Sequence, residues 1–383
     1  MDSSFFQKKR PWSHYKDFLL QSYLDPYIPK VAKLKRPILL VDCFAGRGRF
    51  EDGERGSPLI IVEAIRKWRR KGMNITGRFI EADIENFAVL NEALNPHSDY
   101  CQAMVGSFEE HLPDLAQFAR QNTVFLYVDP YTVKGLVFDQ MKSVYDQIRN
   151  ASSSVEILMN FNVAIFMRWA LAALKRGSEM PDEEAIESMA DDPNESVEHR
   201  TLSDIAGGEY WAEIAANDEL SFVEKLQAFI GEYKKRMQGS FQFVNPFWVK
   251  EKYHHQVPKY ILIFATRHPD GVRLMNDFMC QARRKFVAKQ FSDHLLFDLT
   301  PEEEIVEPDA LKDGIAAVFA QSQTCITRLE LQLRLLLRGF FARLTLSEIN
   351  KAIAEMLKEG RLFSSTGRTR INNTVLLSDR PFS

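Results

Sequence analysis

The residues with the clearest chemical potential stand at the ends of apolar runs. The first such run leads into Asp42, Phe44, Gly46 and Gly48, in the pattern Asp-x-Phe-Ala-Gly-x-Gly. Glycines let a backbone pass close to a ligand, and an acid beside them can pair with a ligand ammonium group. The pattern is not a dinucleotide fingerprint, because Glu51 occupies the sixth position of GxGxxG, and it lacks the Lys-Ser/Thr of a P-loop. It therefore predicts a loop that binds another nucleotide-like ligand.

The next two apolar runs end in further candidates for the same ligand. Glu81 ends the second run and Asp83 follows two residues later. Either acid can accept hydrogen bonds from both hydroxyls of a ribose, and the sequence does not choose between them. Ser107 follows a third expected strand and is the candidate for the edge of an adenine ring.

A fourth run leads into Asp129, Pro130 and Tyr131, the candidates for catalysis. This segment resembles the Asp-Pro-Pro-Tyr motif of amino-methyltransferases. In those enzymes the Asp side chain and a Pro carbonyl accept hydrogen bonds from an exocyclic amine, while the aromatic ring stacks on a flipped base. One Pro is missing here, so Tyr131 arrives one residue earlier than in the motif.

The first motif also resembles a known pattern, motif I of the class I S-adenosylmethionine-dependent methyltransferases. That resemblance implies S-adenosylmethionine as the cofactor. It assigns the methionine part to Asp42, Phe44, Gly46 and Gly48, the ribose to Glu81 or Asp83, and the adenine to Ser107. Cytosine-C5 transfer normally needs a cysteine nucleophile after Pro, and the chain contains no Pro-Cys pair.

Metal chemistry stays open as an alternative. The chain has no HExxH motif, and its histidines lack the spacing of helical metal ligands, so no metal site is assigned. Four acids at strand ends could nevertheless converge and hold Mg²⁺ as in a nuclease; they are Asp42, Glu81, Asp83 and Asp129.

Short apolar runs alternate with helical patterns, which predicts an α/β fold with a mostly parallel, doubly wound, Rossmann-like sheet of the class I methyltransferase type. The expected strands are Ile38–Asp42, Gly77–Glu81, Thr123–Asp129 and Val155–Asn160, with a late pair at Pro246–Lys250 and Tyr260–Ala265. The late pair is expected to extend the same sheet. The predicted organisation is an N-terminal helical segment (1–36), a methyltransferase-like domain (37–163 and 241–300), an acidic helical insertion (164–240) and a C-terminal domain (308–383).

The C-terminal domain is predicted to be a winged helix. Two capping-box patterns, at Thr327–Glu330 and Thr345–Glu348, each open an apolar-periodic helix, and two short strands follow. Arg361, Arg368 and Arg370 in and beside the expected wing are the candidate nucleic-acid-binding residues. Glutamates on the preceding helix favour the alternative of a protein-contact module.

Charge is unevenly distributed along the 383 residues, although the net charge is only −3. Residues 1–75 carry 16 Lys and Arg against 8 Asp and Glu, whereas residues 177–224 carry 15 acids against Arg200 alone. Basic ends around an acidic middle indicate a nucleic-acid-facing module, or solvated surfaces of different sign. No apolar run is long enough to span a membrane, and four scattered cysteines fit a reducing, cytoplasmic location.

The ordered set of motifs resembles the three-Cys-motif partner protein (TcmP) family of bacteria. The resemblance covers roughly residues 10–300 and rests on Trp12-Ser13-x-x-Lys16, Asp42-x-Phe44-Ala45-Gly46-x-Gly48, Gly56-Ser57-Pro58, Phe79-Ile80-Glu81, Asp129-Pro130-Tyr131, Asn160-Phe161-Asn162 and Tyr260–Arg267. It implies a methyltransferase-like fold working beside a radical-SAM-like protein that carries three cysteines.

The sequence thus predicts a methyltransferase that acts on an amino group of a nucleic-acid base, DNA or RNA. Two alternatives remain: a non-methylating module that binds nucleic acid for the three-Cys partner, and a metal-dependent nuclease.

Overall fold

The computed structural model describes residues 11–150, 154–176, 195–250, 255–292, 306–322 and 325–382. The start of the predicted N-terminal segment, a part of the acidic insertion and most of the expected linker before residue 308 lie outside the described residues. The chain forms two compact units, Met1–His268 and Pro269–Ser383.

Seven strands of the described residues form one sheet in the first unit, in the order β3-β2-β1-β4-β5-β7-β6. Their bounds are β1 Ile38–Asp42, β2 Ile75–Glu81, β3 Cys101–Val105, β4 Thr123–Val128, β5 Val155–Phe161, β6 Phe243–Val249 and β7 Tyr260–Thr266. β7 pairs antiparallel with both of its neighbours, whereas the pairs among β1 to β5 are parallel.

This strand order, with β7 alone reversed, is the arrangement of the class I methyltransferase fold, and the predicted fold class is confirmed. The late strand pair belongs to the same sheet, as expected. Every residue of β1, β4, β5 and β7 is buried, because helices cover both faces of a sheet of this kind. The predicted bounds of these four strands differ from the observed ones by at most one residue, whereas β2 begins two residues and β6 three residues before the predicted start.

Helices connect and flank these strands. In the first unit they are α1 Pro11–Val31, α2 Ser57–Arg69, α3 Ile84–Leu94, α4 Leu112–Gln121, α5 Phe138–Asn150, α6 Val163–Ala173, α7 His199–Ala206, α8 Tyr210–Ala216 and α9 Phe222–Met237. Helices α6 to α9 stand between β5 and β6, where the sequence predicts a helical insertion. Their apolar residues join the core on one face of the sheet; Phe166 stacks on Phe229 with ring centroids 4.3 Å apart.

The second unit contains α10 Pro269–Ser292, α11 Pro308–Ala320, α12 Arg328–Leu335 and α13 Leu346–Lys358, with β8 Ile326–Thr327, β9 Phe363–Ser364 and β10 Leu376–Ser378. The three strands form a small sheet in the order β8-β10-β9, one strand more than the sequence indicated. The Thr345–Glu348 capping box is confirmed. In the predicted box at Thr327, the Thr327 side chain accepts a hydrogen bond from the Glu330 backbone N–H and caps α12. The Glu330 side chain pairs with Arg334 and does not complete the box. The winged-helix interpretation stays a prediction.

No helix in the described part of the chain combines the length and the apolar character needed to cross a membrane.

Candidate functional site

A cavity of about 340 Å³ lies at the carboxyl ends of β1, β2 and β4. The chain crosses from one side of the sheet to the other between β1 and β4, the place where open α/β sheets form a ligand crevice. Of the residues proposed from the sequence, those that line the cavity are Phe44, Gly46, Gly48, Glu81, Ser107, Asp129, Pro130 and Tyr131. Asp42 and Asp83 are not among the lining residues.

The glycine loop after β1 has a backbone that only glycine adopts easily. Gly46 has φ 63° and Gly48 has φ 77°, both in the left-handed region. A Cβ atom on Gly48 would lie 3.2 Å from Cδ1 of Leu90. A side chain there would therefore press on α3, so Gly48 is needed for the shape of the loop itself.

Glu81 ties this loop to the end of β2. Its Oε2 accepts a 2.7 Å hydrogen bond from the Gly46 backbone N–H, and its Oε1 accepts one of 2.8 Å from the Asp83 backbone N–H. Burial raises the pKa of Glu81, while the two backbone N–H groups act in the opposite direction. The carboxylate is thus fixed in place at the cavity wall.

Asp83 differs from Glu81 because its side chain caps a helix. Its carboxylate caps α3 by accepting hydrogen bonds of 3.0 Å from the backbone N–H groups of Glu85 and Asn86. A cap of this kind satisfies helix N–H groups that otherwise lack partners.

Asp42 lies beneath the loop and is completely buried. Its Oδ1 accepts a 3.3 Å hydrogen bond from the Phe44 N–H, and its Oδ2 makes no hydrogen bond. Burial raises the pKa of Asp42 to about 7, against the lowering effects of the Ser57 hydroxyl and the Phe44 N–H. Asp42 thus lies under the loop and does not line the cavity, and its pairing with a ligand ammonium stays a prediction.

Ser107 and Phe108 follow β3 and line the cavity together with Phe44 of the loop after β1. The Ser107 N–H donates to Glu110 Oε2 at 2.8 Å, which orders the turn after β3. Phe108 packs against Phe44 with ring centroids 5.4 Å apart. The rings of Phe44 and Phe108 give this part of the cavity an apolar surface, which suits a planar heterocycle.

Asp129 is the most heavily hydrogen-bonded acid of the site. Lys16 Nζ from α1 lies 2.7 Å from its Oδ1 and 2.6 Å from its Oδ2. Asn160 Nδ2 from β5 donates to Oδ1 at 2.7 Å, and the Tyr127 hydroxyl donates to Oδ2 at 3.0 Å. Burial, with the nearby Asp129 charge, raises the pKa of Tyr127 well above its usual value, so this hydroxyl stays protonated.

Lys16 and Asn160 belong to the motifs that resemble the TcmP family, but the sequence assigns neither of them a role. Lys16 is only 8% exposed, lies 5.4 Å from the Tyr260 ring centroid and lines the cavity. Lys16 precedes Asp129 by 113 residues, so no local spacing in the sequence indicates that the two side chains pair.

The acids do not assemble into a metal site. Within the described residues, no group of three or more His, Cys, Asp or Glu side chains could hold a metal ion. Asp83 is used as a helix cap, and Asp129 is paired with Lys16.

The basic candidates of the second unit are exposed. Arg370 borders a second cavity of about 440 Å³ together with Arg328 and Asn350. Arg361 lies 3.6 Å from Glu359, which also pairs with Lys312 at 2.8 Å. Glu348 pairs with Arg284 at 2.7 Å. Two of the glutamates that argued against phosphate contact are thus partly neutralised within the unit.

No family model matches the chain, and no curated protein matches it. Solved structures with a similar arrangement include a Legionella pneumophila protein of the DUF519 family (10% identity, 73% of this chain and 92% of that chain, TM-score 0.38). Another is the methyltransferase domain of bacterial CtHen1-C, with 7% identity over 65% of this chain and 98% of that chain and a TM-score of 0.32. A methyltransferase from Geobacter sulfurreducens has 12% identity over 64% of this chain and 78% of that chain and a TM-score of 0.25. The fold assignment itself rests on the strand order and direction of the seven-stranded sheet.

Proposed function

We propose that this protein is an S-adenosylmethionine-dependent methyltransferase. The observation that carries the proposal is the Gly46–Glu81 contact at the end of β1 and β2, inside a cavity on a sheet of class I methyltransferase order. S-adenosylmethionine supplies a methyl group on a sulfonium, which is activated for transfer to a nucleophile.

The residues present fit this ligand. A cavity of about 340 Å³ is within the range of small-molecule sites, which begins at roughly 300 Å³. Glu81 presents a carboxylate whose oxygens can accept further hydrogen bonds from a ribose diol. Phe44 and Phe108 form an apolar wall, and the Gly46 loop leaves room for a backbone approach to the methionine part.

The proposed acceptor is a nucleic acid. Support comes from the basic N-terminal region, from the exposed Arg368 and Arg370, and from the internal pairing of Glu348 and Glu359. An exocyclic amine of a base is the acceptor that the Asp129–Tyr131 segment predicts. The TcmP resemblance adds a three-Cys partner protein to the proposal, and the four scattered cysteines add a cytoplasmic location.

Calorimetric titration with S-adenosylmethionine tests the proposal, and a parallel titration with Mg²⁺ separates it from the nuclease alternative. We expect a stoichiometry of one S-adenosylmethionine per chain. Nucleic-acid binding without S-adenosylmethionine binding would instead indicate the non-methylating partner module.

A further inference from the structure

Asp129 has no free capacity for the amine that the sequence assigned to it. A carboxylate offers about four lone-pair positions. Lys16 takes one on each oxygen, and Asn160 and Tyr127 take one each, at distances of 2.6 to 3.0 Å. An amine that entered the site as a donor would have to break one of these bonds.

Lys16 supplies a hydrogen-bond donor at this end of the cavity. Lys16 Nζ carries three N–H groups, of which Asp129 uses two, and Lys16 lines the same cavity as the Gly46 loop. The ion pair is largely withdrawn from water, since the two side chains are 9% and 19% exposed. Asp129, Asn160 and Tyr127 therefore hold an ammonium in a defined position.

An ammonium group held in a fixed position can donate a hydrogen bond to an oxygen nucleophile without blocking its attack, but it would block the attack of an amine. A hydroxyl oxygen has two lone pairs, so one can accept from Lys16 while the other attacks. An amine has a single lone pair, and an N–H donor directed at it would block the attack. An aromatic base amine also needs acceptors for its own N–H groups, which a filled carboxylate does not supply.

We infer that the acceptor is a ribose 2′-hydroxyl of RNA and that Lys16 is the residue that selects it. This inference rests on the proposed function, because the nucleic-acid substrate comes from there and 2′-hydroxyls distinguish RNA from DNA. The hydroxyl oxygen forms the new O–C bond with one lone pair as the S–C bond breaks and its electron pair returns to sulfur. The hydroxyl proton passes to water as the attack begins, so the oxygen carries partial negative charge that Lys16 stabilises, and the product is a neutral methyl ether and a neutral thioether.

The experiment uses the full chain with labelled S-adenosylmethionine and, as acceptors, total cellular RNA and total cellular DNA. Products are digested to nucleosides and identified by mass spectrometry. We expect label in 2′-O-methylnucleosides from RNA and none from DNA. N-methylated bases, label in DNA, or no transfer to either acceptor by a protein that binds S-adenosylmethionine would overturn the acceptor assignment. Failure to bind S-adenosylmethionine would overturn the proposed function itself.

Variants at Lys16 connect the product to the proposed contact. Lys16→Met should lower transfer at least a hundredfold while changing the S-adenosylmethionine affinity less than threefold. The matched control is Lys33→Met, an exposed lysine just after α1, which should behave as wild type. Transfer by Lys16→Met at the wild-type rate would contradict the assignment.

A binding measurement provides a readout without turnover. Wild type should bind a mixed-sequence 20-nucleotide RNA about tenfold more tightly than the 2′-deoxy strand of the same sequence, which lacks the acceptor oxygen, as expected for one hydrogen bond to a charged group. Lys16→Met should lose this preference. Because that variant leaves Asp129 as a buried charge, Lys16→Met combined with Asp129→Asn serves as the charge-neutral version, with folding checked by thermal denaturation. An unchanged preference in the folded double variant would overturn the role of Lys16.

Discussion

The Glu81 carboxylate accepts a 2.7 Å hydrogen bond from the backbone N–H of Gly46, so the end of β2 holds the glycine loop that follows β1. The same carboxylate accepts from Asp83 N–H through its other oxygen. One acid therefore fixes both loops that border the cavity, and Glu81 itself lines that cavity.

Replacing Glu81 by Gln should weaken S-adenosylmethionine binding about tenfold to a hundredfold, because a hydrogen bond to a charged group is worth about 1.5–3 kcal/mol. The amide can accept only one of the two backbone hydrogen bonds, so the loop also loses a support. Asp83→Asn is the matched control: Asn caps helices as well as Asp, and its affinity should stay at the wild-type value. Calorimetry measures both, and the opposite ranking would move the ribose contact to Asp83.

Gly48→Ala should destabilise the protein and weaken S-adenosylmethionine binding. The left-handed backbone costs a non-glycine residue about 1 kcal/mol or more, and the new Cβ would lie 3.2 Å from Leu90 Cδ1. Gly72→Ala is the control, because Gly72 has φ 82° and no atom within 4 Å of a new Cβ. Gly72→Ala should lose a similar amount of stability through its backbone and should bind S-adenosylmethionine with wild-type affinity. Equal effects of the two substitutions on binding would argue against the loop as the donor site.

Asp42 should make folding stability depend on pH. Because its pKa rises from 3.8 to about 7 on folding, the stabilisation by the protonated form is complete below pH 3.8 and is lost as the pH rises through about 7. The slope is at most about 1.4 kcal/mol per pH unit. The free energy of unfolding of Asp42→Asn minus that of wild type should therefore increase between pH 3.8 and about pH 7 and be constant outside this range.

Chemical denaturation at several pH values measures this slope. Glu156 titrates in the same window, because burial raises its pKa to about 7. Glu156→Gln therefore serves as the comparison, and the two slopes should add in the double variant, whose sites share no contact. An Asp42→Asn difference that is constant from pH 4 to pH 7 would show that Asp42 is ionised throughout.

Changing Arg368 and Arg370 together to Ala should weaken RNA binding and make it less sensitive to salt. The slope of log affinity against log salt should fall by about 0.7 for each lost phosphate contact with a single strand. Arg200→Ala, whose side chain is 89% exposed on α7 in the acidic region, is the charge control and should leave the slope unchanged. If affinity at low salt is the same in all three proteins, the second unit is a protein-contact module.

Much of the sheet and part of the site could be predicted from the sequence. β1 has the predicted bounds because its apolar run ends abruptly at Asp42 and a glycine loop, a local signal. The Lys16–Asp129 pair could not be predicted, since it depends on where α1 packs against β4. The choice between Glu81 and Asp83 also needed coordinates: two acids two residues apart look alike in a sequence, yet one faces a cavity and the other caps a helix.

Calorimetric titration of the full chain with S-adenosylmethionine is the decisive measurement for the proposed methyltransferase function. We expect saturable binding of one molecule per wild-type chain, weakened at least tenfold in Glu81→Gln and unchanged in Asp83→Asn. No binding to the wild-type protein would contradict the proposed function, and the same affinity in all three proteins would contradict the ribose contact of Glu81.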